Sequence, residues 1–329
     1  MIKVSDFLDL SKNAKVNWQM ARDEFGSVRQ MLSNIKNVSE RTSEYSDIGA
    51  GETARRRDDG DDAYKGTLKQ GYTKNFTQAE IALQVDVTKQ MRKFDKYDEI
   101  MKRMRRMGKN TERRMEMDIA SLLSYAWDTS YTNIDGETVT TTTPDGLALI
   151  DTTHTANGSS NTFSNEISTT HDAISVDTLE ALEEKGNSFI DQADGRLVPS
   201  MFDTIITGRH APTVHTVRRI LGSEKLQGTT DNDMNDLKNQ YNHLIVPFID
   251  LNAQTEARDT AKAQYCFLAA LKNKDENGFM IEMSQDVQFE TPEQVFESGT
   301  WQYQTTSLYD FGTLFANFIV GTKGDGSAV

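Results

Sequence analysis

The sequence predicts an α+β fold, and three observations predict it. Strand-like and helix-like segments alternate without a regular βαβ repeat. A strictly period-2 segment, Ile81-Ala-Leu-Gln-Val-Asp-Val-Thr88, runs almost directly into a long basic helical pattern, Lys96 to Ala126. The hydrophobic share is 36%, below the roughly 45–50% of an average globular chain. A chain of this kind buries a core but leaves much of its length extended, polar or shared with partners.

Residues 1–40 read as an arm with helical stretches. Ser5-Asp-Phe-Leu-Asp-Leu starts one helix, and Phe25, Val28, Met31, Leu32 and Ile35 recur at helical spacing. From Ser43 to Asp62 the pattern breaks into Gly and runs of both charge signs, Arg55-Arg-Arg-Asp-Asp-Gly-Asp-Asp, the composition of an exposed loop. Gly66-Thr-Leu-Lys-Gln-Gly-Tyr-Thr-Lys-Asn-Phe-Thr reads as one strand of a ribbon, with Ile81–Thr88 as the other. A two-stranded ribbon is marginal in water, so it is expected to lie on something else.

The long helix carries its apolar stripe at Tyr97, Ile100, Met101, Met104, Met115, Ile119, Leu122 and Leu123. Spacings of mostly three and four fit one face. Methionine fills irregular gaps, so the stripe reads as a core seam. Gly108 interrupts it at a cost of about 1 kcal/mol relative to Ala, which predicts a close helix crossing or a bend there.

Residues 129–172, rich in Thr, Ser, Asn and Gly and including Val139-Thr-Thr-Thr-Thr-Pro144, read as short strands and loops. Val176–Ile190 is a helix with Asp177 as its N-cap. Gly195–Thr207 holds a buried strand. Arg209–Leu221 is a helix with Pro212 in its first turn. Leu244-Ile-Val-Pro-Phe-Ile-Asp-Leu is a strand that Pro247 confines to an edge or makes irregular. Gln264–Leu271 is a buried strand, and Phe279-Met-Ile-Glu-Met begins the next. Trp301–Gly312 and Phe315–Val320 form a final paired region, and Gly321–Val329 is a Gly-rich tail. There is no internal repeat.

The formal net charge is −14, which argues against free nucleic acid as a general partner. The charge is uneven. Lys89–Met115 holds eleven Lys/Arg against four Asp/Glu, a net of +7 that leaves −21 on the rest. Such a split suits self-association of a basic face with an acidic one; a solvated helix face explains it as well. The N-terminal residues Met1-Ile-Lys-Val-Ser-Asp lack a charged-then-apolar signal pattern. No apolar run approaches the roughly 18–20 residues that span a membrane. The expected setting is the cytoplasm, or a particle released from it.

The motifs that carry chemistry are mostly absent. Cys266 is the single cysteine and lies in the apolar run Tyr265-Cys-Phe-Leu-Ala-Ala, where a thiol is a small hydrophobe and an intrachain disulfide is impossible. The histidines are His154, His171, His210, His215 and His243. His210 and His215 stand five apart rather than the four that put two imidazoles on one helix face. Ser200 and Ser307 lack the Gly-x-Ser-x-Gly elbow. Gly321-Thr-Lys-Gly-Asp-Gly lacks the Gly-Lys-Ser/Thr order of a phosphate loop, and no helix follows it. The expected inventory is therefore no catalytic residue, no cofactor site and no metal site.

At this point the motifs resemble a family. Asp145-Gly-Leu-Ala-Leu-Ile-Asp-Thr-Thr-His154, followed by Asn161, resembles the Asp-Gly…Leu-Phe…His…Asn stretch of Mu-like phage major head proteins, although Leu149 or Ile150 stands where that family often has an aromatic. Asp194–Thr207 resembles the strand before the axial-domain helix, and Arg209–Gly222 that helix. Asn242–Asp250 and Gln264–Ala270 resemble the next two strands. Leu308-Tyr-Asp-Phe-Gly…Val320-Gly resembles the last peripheral-domain strands. The likeness covers roughly residues 40–325 and rests on the number and order of the motifs. It implies the tailed-phage major capsid fold: an N-terminal arm (1–44), an extended two-stranded loop (45–90), a peripheral domain with a long spine helix (91–172 and 276–329) and an axial domain (173–275).

The resemblance also implies a structural subunit, not an enzyme. Its main partner is itself, as pentamers and hexamers of an icosahedral or prolate head. Scaffolding, portal and decoration proteins join it; packaged double-stranded DNA is a partner only by enclosure, and no membrane is involved. Its place is the virion head, after assembly in the host cytoplasm. No scaffold-like charged helix precedes the arm, which implies a separate scaffold or proteolytic removal. Some relatives cross-link a loop lysine to a neighbour; Lys65, Lys69 and Lys74 lie in that region, and plain solvated lysines explain them equally. A nanocompartment shell of the same fold and a soluble enzyme without a recognisable motif are the alternatives.

Overall fold

The basic segment folds as one continuous helix because its apolar positions repeat at three and four and Asp98 and Glu99 stand in its first turn, at the positive end of the helix dipole. In the computed structural model, which describes residues 4–23, 27–49, 51–60, 62–94, 97–167, 170–225 and 234–329, the elements follow in this order. The N-terminal part holds α1 (Val4–Asp23), α2 (Arg29–Leu32), β1 (Asn34–Asn37), β2 (Thr42–Ile48), β3 (Gln70–Thr77), β4 (Ala79–Val87), α3 (Lys89–Lys93) and the long helix α4 (Tyr97–Ser124). Two short hairpins follow: β5 (Ser130–Thr132) with β6 (Thr138–Thr140), and β7 (His154–Thr155) with β8 (Thr162–Phe163). Then come α5 (Val176–Asn187), β9 (Thr204–Thr207), α6 (Ala211–Gly222), β10 (Asn242–Ile245) and β11 (Cys266–Ala269). The chain closes with β12 (Phe279–Phe289), β13 (Glu293–Gln294), β14 (Trp301–Thr313) and β15 (Ile319–Thr322).

Two larger sheets organise the chain. In the first, β12 lies between a parallel β1 and an antiparallel β14, and β14 pairs with both β13 and β4. The second has the order β10-β9-β11-β15; β9 and β10 are parallel, joined through α6, and β10 is an edge strand that ends before Pro247.

The second sheet is buried on both faces, and its alternation shows how. Ile206, Phe267 and Ile319 face the core that also holds the α4 seam of Ile100, Met104, Met107, Met115, Ile119, Leu122 and Leu123. Their neighbours Ile205, Leu268 and Val320 face a second core made with Leu179 and Leu182 of α5 and Val217 and Ile220 of α6. Burial on both faces explains why these strands read as unbroken apolar runs rather than as alternating ones. Each fully buried Ile, Leu or Met adds about 1.5–3 kcal/mol of transfer free energy.

Gly108 marks a helix crossing, not a bend. A Cβ at Gly108 would stand 2.5 Å from the Trp18 carbonyl oxygen, so α1 and α4 meet backbone to backbone. Ala14, Trp18 and Ala21 of α1 are buried in that seam. Buried ion pairs lock it. Glu112 of α4 pairs with both Arg22 and Arg29, and Arg22 also reaches Asp286 of β12 at 2.6 Å. Glu116 accepts from Ser27 Oγ at 2.7 Å and from the Val28 backbone N–H at 3.1 Å.

Five expectations need correction. The helical spacing through Ile35 yields only the single turn α2; Ser33 turns extended, and Asn34–Asn37 takes the open ladder beside β12. The break at Ser43–Asp62 begins with the strand β2, which pairs with β3 from Thr42↔Thr77 to Ile48↔Gln70. The ribbon is therefore β2–β3 and not Gly66–Thr77 with Ile81–Thr88: β4 instead adds to β14, in register from Trp301↔Val87 to Tyr309↔Ala79. The N-cap of α5 is Ser175, whose hydroxyl accepts from Thr178 N–H at 3.1 Å; Asp177 lies in the first turn. Finally, Ile319–Thr322 leaves the last paired region to join β11, and the Gly-rich tail starts inside that strand. Phe25 and Lys96 lie outside the described residues.

Candidate assembly surfaces

Most of the residues with chemical potential are committed to the fold. Cys266 is buried, and burial pushes its thiol up to about 12, so no thiolate is available near neutral pH. Ser200 Oγ donates to the Asn317 carbonyl at 2.5 Å, and Ser307 is buried in β14, paired with Ile81 of β4. His154 is fully buried; its Nδ1 sits 2.7 Å from Asp145 Oδ2, and its ring stacks on Phe163. The histidine holds the Asp145 carboxyl below the usual carboxylate range, although burial alone would raise it. His210 bonds Thr213 Oγ1 at 2.9 Å, His243 bonds Thr207 Oγ1 at 2.8 Å, and His215 is exposed on α6. Among the described residues no three His, Cys, Asp or Glu side chains come together as a metal site.

His171 ties the C-terminal segment down. Its backbone N–H donates to the Ser327 carbonyl at 2.8 Å, and its carbonyl accepts from Gly326 N–H at 2.8 Å. Its Nδ1 accepts from Lys323 N–H at 3.2 Å, which fixes the neutral ring with the proton on Nε2, facing Glu166 at 3.1 Å. Burial holds its pKa below the ordinary value against the pull of Glu166.

The sequence reading missed a second buried polar set. Arg114 bonds Asp118 at 3.0 Å and Asp135 at 3.0 Å, and Tyr309 donates its hydroxyl to Asp118 at 2.6 Å. Burial raises Asp118 and Tyr309 above their ordinary values, and the carboxylates raise Arg114. This set ties α4 to β14.

What remains free is surface. The hairpin β2–β3 is held at its base by its own chain. Gly49 and Gly71 press on Ala193, Tyr72 OH meets Thr155 Oγ1 at 3.0 Å, and Lys74 Nζ donates to the Thr142 carbonyl at 2.7 Å. Beyond the base, the described part of residues 51–69 has no regular structure and is almost wholly exposed, with Leu68 71% accessible. Lys65 and Lys69 stand in that segment, whereas Lys74 is half-buried and burial lowers its pKa. The charge of α4 is divided. Arg103, Arg113 and Arg114 pair with Glu99, Glu256 and Asp118, and Arg105 bonds Asn17 Oδ1 of α1 at 2.9 Å, while Lys102 and Arg106 are exposed.

Two sheets tied by a long helix, with a hairpin whose far end is exposed, are the architecture that the comparisons with solved structures can be set against. No protein-family model matches this chain, and no curated protein matches it in sequence. Solved structures do match. The capsid of the cyanophage P-SCSP1u is 11% identical, over 90% of this chain and 87% of that one, with a TM-score of 0.55. The capsid of Ralstonia phage GP4 is 13% identical over 90% and 87%, with a TM-score of 0.54. Gordonia phage Cozz gives 10% identity over 89% and 84%, with a TM-score of 0.52. The chain has the fold of phage capsid proteins. The likeness runs across phages of different hosts and does not single out the Mu-like branch. Among the described residues no helix is long and apolar enough to cross a membrane.

Proposed function

We propose that this chain is the major capsid protein of a tailed phage, a structural and non-catalytic subunit that assembles with copies of itself into a head enclosing double-stranded DNA. The observation that carries the proposal is the agreement of fold over nine-tenths of the chain with capsid subunits. The division into arm (1–44), extended loop (45–90), peripheral part (91–172 and 276–329) and axial part (173–275) belongs to the proposal, with β4 acting in the peripheral sheet and β15 in the axial one. So do pentamers and hexamers, scaffolding, portal and decoration partners, and assembly in the host cytoplasm. The Mu-like placement rests on the sequence motifs around Asp145–His154 alone.

The test is expression of the chain, alone and with its neighbouring genes, followed by light-scattering mass and negative-stain electron microscopy. Closed shells, or free pentamers and hexamers, are expected. A monomer near 37.0 kDa under every condition overturns the proposal. Shells that capture a cargo enzyme in place of DNA move it to a nanocompartment.

A further inference from the structure

The turn between β13 and β14 carries the most exposed large hydrophobic side chain among the described residues: Phe296, 99% accessible. Glu293 and Glu297 flank it, both exposed. Because Trp301 pairs with Val87, the end of β4 and the start of β14 run side by side, and what extends from each must share one corner. The contact is direct: a Cβ on Gly299, which turns the chain at φ +63°, would lie 3.9 Å from Lys89 Cδ. Lys89 opens α3, Lys93 closes it, and both are exposed. The next residue, Phe94, is 67% accessible, with Lys93 Nζ 5.8 Å from its ring centroid. Lys89, Lys93, Glu293 and Glu297 make no ion pair among the described residues.

The corner thus has two exposed aromatic rings and, among the described residues, exposed charges of both signs that make no ion pair. A polyanion such as DNA would meet the lysines and be repelled by the glutamates. A patch with both signs is complementary to itself, and closed assemblies of one chain are built on self-complementary contacts. We propose that this corner is a homotypic contact between copies of the chain. The copies meet corner to corner about a local symmetry axis, phenyl rings packed at the centre, lysines of α3 against glutamates of the neighbour's turn. The inference rests on the shell reading and names one of its contacts. A stable pairwise interface takes roughly 800 Å² per partner, more than these six side chains supply. The corner acts through repetition around a shell, where linked weak contacts multiply.

The test is particle assembly by the full chain, followed by light scattering against protein concentration. Phe296→Ser removes the central ring; burying a phenyl group is worth roughly one to two powers of ten in association. The concentration needed for particles is expected to rise about tenfold or more. Lys89→Glu with Lys93→Glu, or Glu293→Lys with Glu297→Lys, leaves one sign and is expected to impair assembly to a similar degree. All four substitutions together exchange the signs, keep the patch self-complementary and are expected to restore the parent threshold. Unchanged assembly by Phe296→Ser, or a fourfold variant no better than the pairs, overturns the contact while the parent's particles leave the shell reading standing. Absence of particles from the parent under every condition removes both. Thermal melts by circular dichroism, expected to match the parent because these side chains are exposed, separate lost assembly from lost folding, and Phe94→Ser serves in place of any Phe296 variant that melts early.

Discussion

Replacing Gly108 by alanine sets two effects of opposite sign against each other. In α4 alone the change favours the helix by about 1 kcal/mol, because alanine gives up less backbone freedom. In the folded chain the new methyl would stand 2.5 Å from the Trp18 carbonyl oxygen and 3.2 Å from Trp18 Cδ1, where real Cβ contacts are essentially never under 3.0 Å. The first obstacle is backbone and has no rotamer to change, so α1 must move as a body. It carries Ala14, Trp18 and Ala21 in the seam and Arg22 on Glu112, and a shift loosens all four contacts. Overpacking of this kind costs about 1–3 kcal/mol, and a backbone obstacle belongs at the upper end. The expected net loss is about 1–2 kcal/mol. Urea unfolding followed by circular dichroism reads the total, and hydrogen exchange over residues 12–23 reads α1 itself. Gly222→Ala is the internal control: a Cβ there meets nothing within 4 Å, and the change should stabilise by about 0.4–1 kcal/mol. A Gly108→Ala chain as stable as the parent, with exchange in α1 unchanged, refutes the crossing as the reason for the glycine.

Three more outcomes follow from the same interior. Glu112→Gln leaves Arg29, only 7% exposed at its side chain, without its counter-charge and should cost about 3–5 kcal/mol, whereas Arg103→Ala on the exposed Glu99 pair should cost under about 0.5 kcal/mol; denaturant midpoints compare the two. His171 has a depressed pKa in the folded chain, so the unfolded chain binds the extra proton first. Its contribution is full above the ordinary value of about 6.5 and is lost as pH falls from there toward the folded value. With Glu166, Lys323 and Asp325 the charged groups around it, exchange over residues 323–329 should rise in that window, and His171→Asn should flatten the profile. Cys266 should resist iodoacetamide at pH 8 in the native chain and react once in guanidinium; native labelling would refute its burial.

Local pattern and long-range pairing divided what the sequence could tell. The α4 seam, α6 with Pro212 in its first turn, and the apolar runs of β9 and β11 were legible because periodicity or run length marks them whatever they pack on. Strand β2 was not. Thr42-Ser-Glu-Tyr-Ser-Asp-Ile is polar and half-buried at most, and only its ladder to β3 makes it a strand. The partner of β4 lies more than two hundred residues away, and the neighbouring β3 was the natural guess. The Arg22–Arg29–Glu112 cluster was invisible for a similar reason: charged residues read as surface until packing brings them together.

The reach of the hairpin follows from how it is held. A free two-stranded ribbon is marginal in water, but β2–β3 does not depend on a neighbour at its base. Asn157 donates to the Gly71 carbonyl at 3.1 Å, Lys74 reaches Thr142, and Phe76, 1% exposed, packs over Gly312 at the rim of the first sheet. Gly71 is needed there because a Cβ would stand 2.9 Å from that of Ala193. Arg196 extends the hold by one step, donating to the Gly51 carbonyl at 2.7 Å. Past that point come exposed residues of both charge signs and the exposed Leu68, while Ile48 at the end of β2 is exposed as well, so the far end of the hairpin holds most of its open apolar surface. The base fixes direction without a partner, and the exposed segment beyond it is tied mainly to itself: Tyr64 OH and Thr67 Oγ1 donate to Glu52, and the Arg55 guanidinium lies 3.7 Å from the Tyr64 ring centroid.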